Sequence, residues 1–473
     1  SFKNIKKYMK QKKWSPIQIQ EALSLSKKVN YSISGISINS KKLKKNNLFL
    51  PLKGKNYNAH QYVHEAFKKG ASLSLSNIKD YKKFKLEKFK KRIVLVKNVH
   101  SSLHQLASYS REQIKGKIVG ITGSVGKTSI KEALCFILKD KNKIQSSTDN
   151  FNNLIGLPIN LANFNSESDI NILELGMNKK GEIKKLSNIC KPDIGIITKI
   201  SNAHIGNFNS LKDIALAKSE IFFGMNNNGT AILNQNDPYH FLLKKILRNL
   251  GIKNIITFGL SKKCDVRLVS FKYKNKNSCR VFLEVLGKRT SFYLNNLGDH
   301  WIENSLAITS IIVSLNKDIS PYIKKISKFS AIEGRGKILN VQYNRKKITL
   351  IDDSYNSSPE SLKASIIFLN RLENKRRKIC VLGDMYELGK FSKKFHLSLK
   401  KTITDNKIFK VYTIGKEMKN LHSSLPKLIK GKHAKNLEEL HLNLEELIET
   451  NDVILFKGSR AMNLDKVIDK FNK

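Results

Sequence analysis

The chain has 473 residues, 40% of them apolar, and a formal net charge of +49; it is too long for one ordinary core, and its apolar content argues against wholesale disorder. No apolar run approaches the roughly 18–20 residues needed to span a bilayer, and the basic start Ser1–Lys7 has no apolar stretch behind it, so neither membrane insertion nor a signal peptide is expected. The five scattered cysteines (Cys135, Cys190, Cys264, Cys279 and Cys380) form no CxxC pair, which excludes a disulfide framework or a standard zinc site and suits a reducing cytoplasm.

In chain order, short strand-like runs (Ser34–Ile38, Leu48–Leu52, Ile93–Val96) alternate with Lys-rich connections up to about residue 100. A helical stretch, His100–Lys115, leads to apolar strands at Ile118–Ile121, Ile170–Leu175, Ile194–Ile197 and Ala231–Leu233, separated by helical patterns. That alternation predicts a mainly parallel sheet. It restarts after about residue 318 with Ile348–Ile351, a helix from Pro359, Ile379–Leu382, a helix near Lys393, Val411–Ile414, Val453–Phe456 and a closing helix. The expected fold is therefore α/β in three domains: 1–99, 100–317 around a phosphate-binding loop, and a dinucleotide-fold-like unit, 318–473.

The strongest local signal is Gly120-Ile121-Thr122-Gly123-Ser124-Val125-Gly126-Lys127-Thr128-Ser129, between a strand and a helix. Glycines let backbone N–H groups turn toward phosphate oxygens at a helix N-terminus. Lys127 would reach the β and γ phosphates, and the Thr128 hydroxyl would ligate Mg²⁺. The strict GxxxxGK[ST] spacing fails, because position 121 is Ile. By itself the loop specifies nucleotide phosphates and no particular chemistry. The charge has two readings, a nucleic-acid-binding surface or compositional drift, and the even spread of Lys without interleaved aromatics favours drift.

Further segments are collinear with one family. They are Asn150-Phe151-Asn152-Asn153-Leu154-Ile155-Gly156-Leu157-Pro158, Glu174-Leu175-Gly176-Met177-Asn178, Ala203-His204, Ala217-Lys218-Ser219-Glu220, and Gly334-Arg335. Asp352-Asp353-Ser354-Tyr355-Asn356-Ser357-Ser358-Pro359-Glu360-Ser361, Gly383-Asp384-Met385-Tyr386-Glu387-Leu388-Gly389 and Lys457-Gly458-Ser459-Arg460 complete the set. Over nearly its whole length the chain resembles the Mur ligase family, in the branch that adds D-alanyl-D-alanine to a UDP-N-acetylmuramoyl-tripeptide. The resemblance implies an ATP- and Mg²⁺-dependent, cytoplasmic, monomeric ligase that forms an amide bond through an acyl phosphate, with those two compounds as partners and no nucleic acid.

The resemblance also implies roles. Lys127, Glu174, His204 and Lys218 would be catalytic, with Thr128, Glu174 and His204 as metal ligands and Lys218 at the position of a lysine carbamylated in several members. Thr122, Gly123, Ser124, Val125, Gly126, Lys127, Thr128 and Ser129 would hold the phosphates, Asn304 the adenine, Asp353 the ribose, and Arg335 the phosphates from across the domain gap. Ser40, Asn152, Asn153, Asn356 and Ser357 would meet the two substrates. From the residues alone, Glu174 is equally an ordinary strand-end carboxylate, His204 a loop histidine and Lys218 a helix-surface lysine. The tetrad from Lys457 to Arg460 is as readily structural as anion-binding.

Several positions depart from the family pattern. Asn39-Ser40-Lys41 stands for Asp-Ser-Arg, Lys199 for Asn, Asp149 for Gly and Trp301 for Asn. The lysine keeps the charge but not the planar fork of arginine. His60/His64 and His100/His104 have helical metal-binding spacing, but no acidic motif accompanies them, and both pairs read as incidental. The alternatives are a basic ATPase with a phosphate loop that binds nucleic acid, and an inactive ligase-like binding module.

Overall fold

The computed structural model describes residues 12–148, 151–275, 278–295, 298–372 and 376–472. Ser1–Lys7 and Asp149 therefore lie outside the described residues. No described helix is long and apolar enough to cross a membrane.

Three sheets organise the chain. The first is parallel throughout, in the order β1 (Ile36–Ser37), β2 (Leu48–Phe49), β3 (Leu73–Ser76), β4 (Ile93–Leu95). The second comprises β5 (Lys117–Thr122), β6 (Ile144–Ser146), β7 (Ile170–Glu174), β8 (Ile194–Ile197), β9 (Thr230–Asn234), β10 (Asn254–Gly259), β11 (Val266–Asn275), β12 (Ser278–Val285) and β13 (Lys288–Leu294), ordered β13-β12-β11-β10-β9-β8-β5-β7-β6. Neighbours from β6 to β11 run parallel, and β11–β12–β13 are antiparallel. The third sheet holds β14 (Lys337–Tyr343), β15 (Lys346–Asp352), β16 (Lys378–Gly383), β17 (Lys410–Ile414), β18 (Lys430–Ala434) and β19 (Val453–Lys457), ordered β14-β15-β19-β16-β17-β18. Only β14 is antiparallel to its neighbour there.

The strands legible as apolar runs are those buried along their length, such as β7 and β8. Sequence reading missed β3, β6, β10 to β14 and β18. The physical reason is the lack of a long apolar run: β3 is buried but alternates Leu with Ser, and others, such as β10, are partly exposed. Burial in β12 alternates along the strand, and β18 reads Lys-Gly-Lys-His-Ala at a sheet edge. Neither makes a continuous apolar run.

The arrangement fixes where a site can form. Strand β5 lies between β7 and β8, so the chain crosses from one side of β5 to the other between those strands. A crevice opens beyond the C-terminal ends at such a switch point, and the glycine-rich loop leaves β5 into it.

Candidate active site

The loop after β5 is built from close backbone approaches. Thr122 is buried and its hydroxyl donates to Leu175 O at 2.8 Å, tying β5 to the end of β7. Gly123 has φ +150°, and a Cβ there would stand 1.8 Å from Thr198 Oγ1, so only glycine fits. That Thr198 hydroxyl donates to Val125 O at 2.6 Å, and the Ser124 hydroxyl donates to Ser201 O at 3.0 Å. Gly126, φ +88°, opens the helix Lys127–Leu138. Lys127 folds back over the loop and donates to Gly123 O at 2.7 Å. Burial, reinforced by the Arg335 guanidinium, holds its ammonium below the usual lysine range. Ser129 is buried on the first turn of the same helix.

Glu174 ends β7 with its side chain buried. Its Oε2 accepts from the Thr128 hydroxyl at 2.9 Å, and its Oε1 makes an ion pair with Lys131 Nζ at 3.2 Å. Arg335, on the way into β14, donates from Nη2 to Thr128 Oγ1 at 2.9 Å while its guanidinium lies 4.2 Å from the Tyr355 ring centre. Residues of two sheets therefore meet at one hydroxyl.

A cavity of about 330 Å³ lies between the second and third sheets. Ser124 to Ile130, Asn152, Glu174, His204, Asn304, Arg335, Asp353, Asn356 and Ser357 all line it. Asn304 sits in the helix Asp299–Ser314, its amide oxygen 2.8 Å from where a Cβ on Gly126 would be. Asp353 Oδ2 accepts from Lys457 Nζ and from the Ser365 hydroxyl, both at 2.6 Å. His204 Nδ1 is 2.6 Å from Glu387 Oε2, and Gly206 N donates to Glu387 O at 2.9 Å, joining the two sheets again.

Besides Thr122 and Gly123, which do not line the cavity, four expected residues lie elsewhere or have other duties. Asn153 does not line the cavity; its side-chain oxygen accepts from Ile155 N at 3.1 Å and Gly156 N at 2.8 Å, shaping the turn into the next helix. Ser40 belongs to the first sheet's region, 3.4 Å from Glu65 Oε2. Asn356 lines the cavity, but its side-chain oxygen accepts from Ser357 N at 2.9 Å. Lys218 is buried near the end of the helix Leu211–Ser219, and burial first, then the charge of Lys127, holds its amine well below the ordinary lysine range. Of the tetrad, Lys457 is committed to Asp353, and Arg460 donates to Asp465 Oδ2 at 2.8 Å.

The departures have structural places. Lys199 pairs with Glu303 at 3.0 Å on the cavity rim. Trp301 packs in the core against Phe329. Asn39 Oδ1 accepts from Lys41 N at 2.8 Å. Both histidine pairs are dispersed: His60 Nδ1 meets Asn58 Oδ1, His64 stands edge-on to Phe89, and His100 and His104 bond the carbonyls of Lys53 and Leu154.

Sequence reading missed Lys131, Glu303 and the partnership of Glu387 with His204, and it held Glu360 only as part of a family string, with no role. Lys131 lies one helical turn after Lys127, which is a signal, but a chain so rich in lysine hides it.

Among the described residues no group of three or more His, Cys, Asp or Glu gathers as a metal cage. The donor set still fits Mg²⁺. That ion keeps several waters and phosphate oxygens and needs only one or two protein ligands, and Glu174 Oε2 with Thr128 Oγ1 presents two hard oxygens beside the phosphate loop.

Residues 121–312 match the Mur ligase middle domain, and residues 334–460 match the glutamate ligase domain of Mur ligases. The chain is 37% identical to a UDP-N-acetylmuramoyl-tripeptide–D-alanyl-D-alanine ligase of Rickettsia prowazekii, across 97% of this chain and 99% of that one. A ligase of the same name from Bacillus subtilis is 30% identical, across 92% of each. Among solved structures, MurF from Acinetobacter baumannii superposes with a TM-score of 0.87 at 25% identity, covering 98% of this chain and 99% of that one. The MurF ligase of Thermotoga maritima in complex with ADP gives 0.79 at 26% identity, covering 93% and 97%.

Proposed function

The chain belongs to the Mur ligase family, and on that premise we propose that it joins D-alanyl-D-alanine to the terminal carboxylate of UDP-N-acetylmuramoyl-tripeptide at the expense of ATP. A carboxylate is a poor electrophile. Attack of its oxygen on the γ-phosphorus of ATP releases ADP and leaves an acyl phosphate. The dipeptide's amine then adds to that carbonyl, and collapse of the tetrahedral adduct expels phosphate and leaves the amide. Both steps depend on positioning and charge neutralisation.

The observation that carries this reading is Thr128, held at once by Glu174 and by Arg335 from the opposite sheet. The loop amides and Lys127 are suited to the β and γ phosphates, and Arg335 to the same charge from the other wall. Thr128 and Glu174 would hold Mg²⁺, which supplies charge neutralisation on the phosphates. Asn304 is suited to the adenine; Asp353, through its partner Lys457, would shape the ribose side. Asn152, next to Gly176, faces the tripeptide side, and Asn356 and Ser357 the dipeptide side. His204, oriented by Glu387, is suited to a second ion shared with Glu174. The depressed basicity of Lys218 favours its neutral amine, the form that can add CO₂ and become an anionic carbamate.

The test is phosphate release from ATP and Mg²⁺ with the UDP-tripeptide, with and without D-alanyl-D-alanine, in the wild type and in Lys127→Ala. Release is expected only with both substrates and is lost in the variant. Release that ignores both substrates and is stimulated by DNA or RNA would overturn the reading.

A further inference from the structure

Five carboxylates line the cavity: Glu174, Glu303, Asp353, Glu360 and Glu387. Four have a cationic or imidazole partner: Lys131 at 3.2 Å, Lys199 at 3.0 Å, Lys457 at 2.6 Å and His204 at 2.6 Å, respectively. Glu360 has no ion pair among the described residues. Its Oε1 accepts from the Asn202 side-chain amide and, at 3.4 Å, from Asn202 N. Its Oε2 is buried with no hydrogen-bond partner, and so is the hydroxyl oxygen of Ser357, three residues away and 6% exposed.

Two orphaned buried oxygens on one wall of a cavity call for a donor. A buried oxygen left unmatched costs roughly 1–3 kcal/mol, more when charged, so such atoms mark places where a ligand completes the bonding. Glu360 follows Pro359 in the first turn of the helix Pro359–Arg371, and a dipole contact there explains an acid in general. It does not explain why Asn202, in the loop after β8, fixes one oxygen and leaves the other without a partner. The remaining walls carry Lys127 and Arg335, suited to anions, while Lys199 and Lys457 are already paired with Glu303 and Asp353. The substrate groups of opposite sign are ammonium groups, and the incoming dipeptide's is the one expected beside Asn356 and Ser357, which face the dipeptide in the reading above. The third residue of the UDP-tripeptide carries the other, which the KM for UDP-tripeptide distinguishes.

We propose that Glu360, fixed by Asn202 and assisted by the Ser357 hydroxyl, binds the α-ammonium of the acceptor dipeptide and sets specificity for an amine. This rests on the ligase reading above and names the acceptor subsite within it. Glu360 Oε2 and Ser357 Oγ accept from the ammonium, which places its nitrogen on the third-sheet side of the cavity.

The experiment is steady-state kinetics of the full chain. In Glu360→Gln the KM for D-alanyl-D-alanine is expected to rise roughly 10- to 100-fold, the loss of a charge-assisted contact, while the KM values for ATP and UDP-tripeptide move less than about twofold. Glu360→Asp should recover part of the effect. In the wild type, propionyl-D-alanine, which lacks the amine, should inhibit at least about tenfold more weakly than D-alanyl-D-alanine binds, and Glu360→Gln should erase that preference. An unchanged dipeptide KM in a folded Glu360→Gln, or equal binding of propionyl-D-alanine by the wild type, overturns the proposal and leaves the ligase reading standing. A wild type inert toward the dipeptide removes the ligase reading, and this subsite with it.

Discussion

Arg335 Nη2 donates to Thr128 Oγ1 at 2.9 Å although the two residues stand 207 positions apart. The same hydroxyl donates to Glu174 Oε2, so one small side chain links the loop after β5, the end of β7 and the entry to β14. Gly334, φ +75°, makes the approach possible, since a Cβ there would meet Tyr355 Cβ at 2.8 Å.

Arg335→Lys tests how much this bridge depends on a planar fork. Lysine keeps the charge but loses the parallel donors and the stacking on Tyr355, 4.2 Å away. The expected result is a 10- to 100-fold fall in kcat/KM for ATP, equivalent to about 1.4–2.8 kcal/mol, with little change in thermal stability. A variant with wild-type kcat/KM would show that the guanidinium contributes charge alone.

The loop was readable because its chemistry is local: Gly123, Gly126, Lys127 and Thr128 fall within six residues, between a strand and a helix. Glu174 was readable as a strand-end acid, and its meaning came from family resemblance. Pairings across sheets were not readable. Nothing in the sequence around Glu387 says that it meets His204 at 2.6 Å, or around Asn202 that it fixes Glu360. Those contacts are set by how the third sheet docks on the second. Asn153 shows the converse, since a residue in a binding string spends its side-chain oxygen on its own turn. The antiparallel strands β11 to β13 escaped because half their residues face out.

Lys131 is 1% exposed, and its ammonium lies between Glu174 Oε1 at 3.2 Å, Glu132 Oε1 at 3.0 Å and Ser147 O at 2.8 Å. Burial works against its charge, and Glu174 and Glu132 outweigh burial, holding its basicity above the ordinary range. Lys131→Met leaves Glu174 buried without its cation, which costs about 3–5 kcal/mol when one partner of such a pair is removed. A lower denaturant midpoint is expected, and adding Glu174→Gln to Lys131→Met should cost much less than Glu174→Gln alone. Additive losses in that double-mutant cycle would show that the pair is not coupled.

Lys12 gives a prediction of opposite sign. It is 6% exposed, donates to Ser110 Oγ at 2.8 Å, and burial pushes its ammonium down from 10.5 to about 8. Between those two values the unfolded chain holds the proton and the folded chain has released it, so stability rises with pH across that window. Below pH 8 the folded protein carries a charge that burial disfavours by about 3 kcal/mol. Lys12→Met removes that cost and leaves no orphan, because the Ser110 hydroxyl still donates to Leu161 O at 2.7 Å. The variant should therefore be as stable as the wild type or more so at pH 7, with its advantage shrinking as pH climbs from 8 to 10.5. Denaturant midpoints of both proteins at pH 7, 9 and 10.5 measure this directly, and an advantage that is constant or grows with pH would refute it.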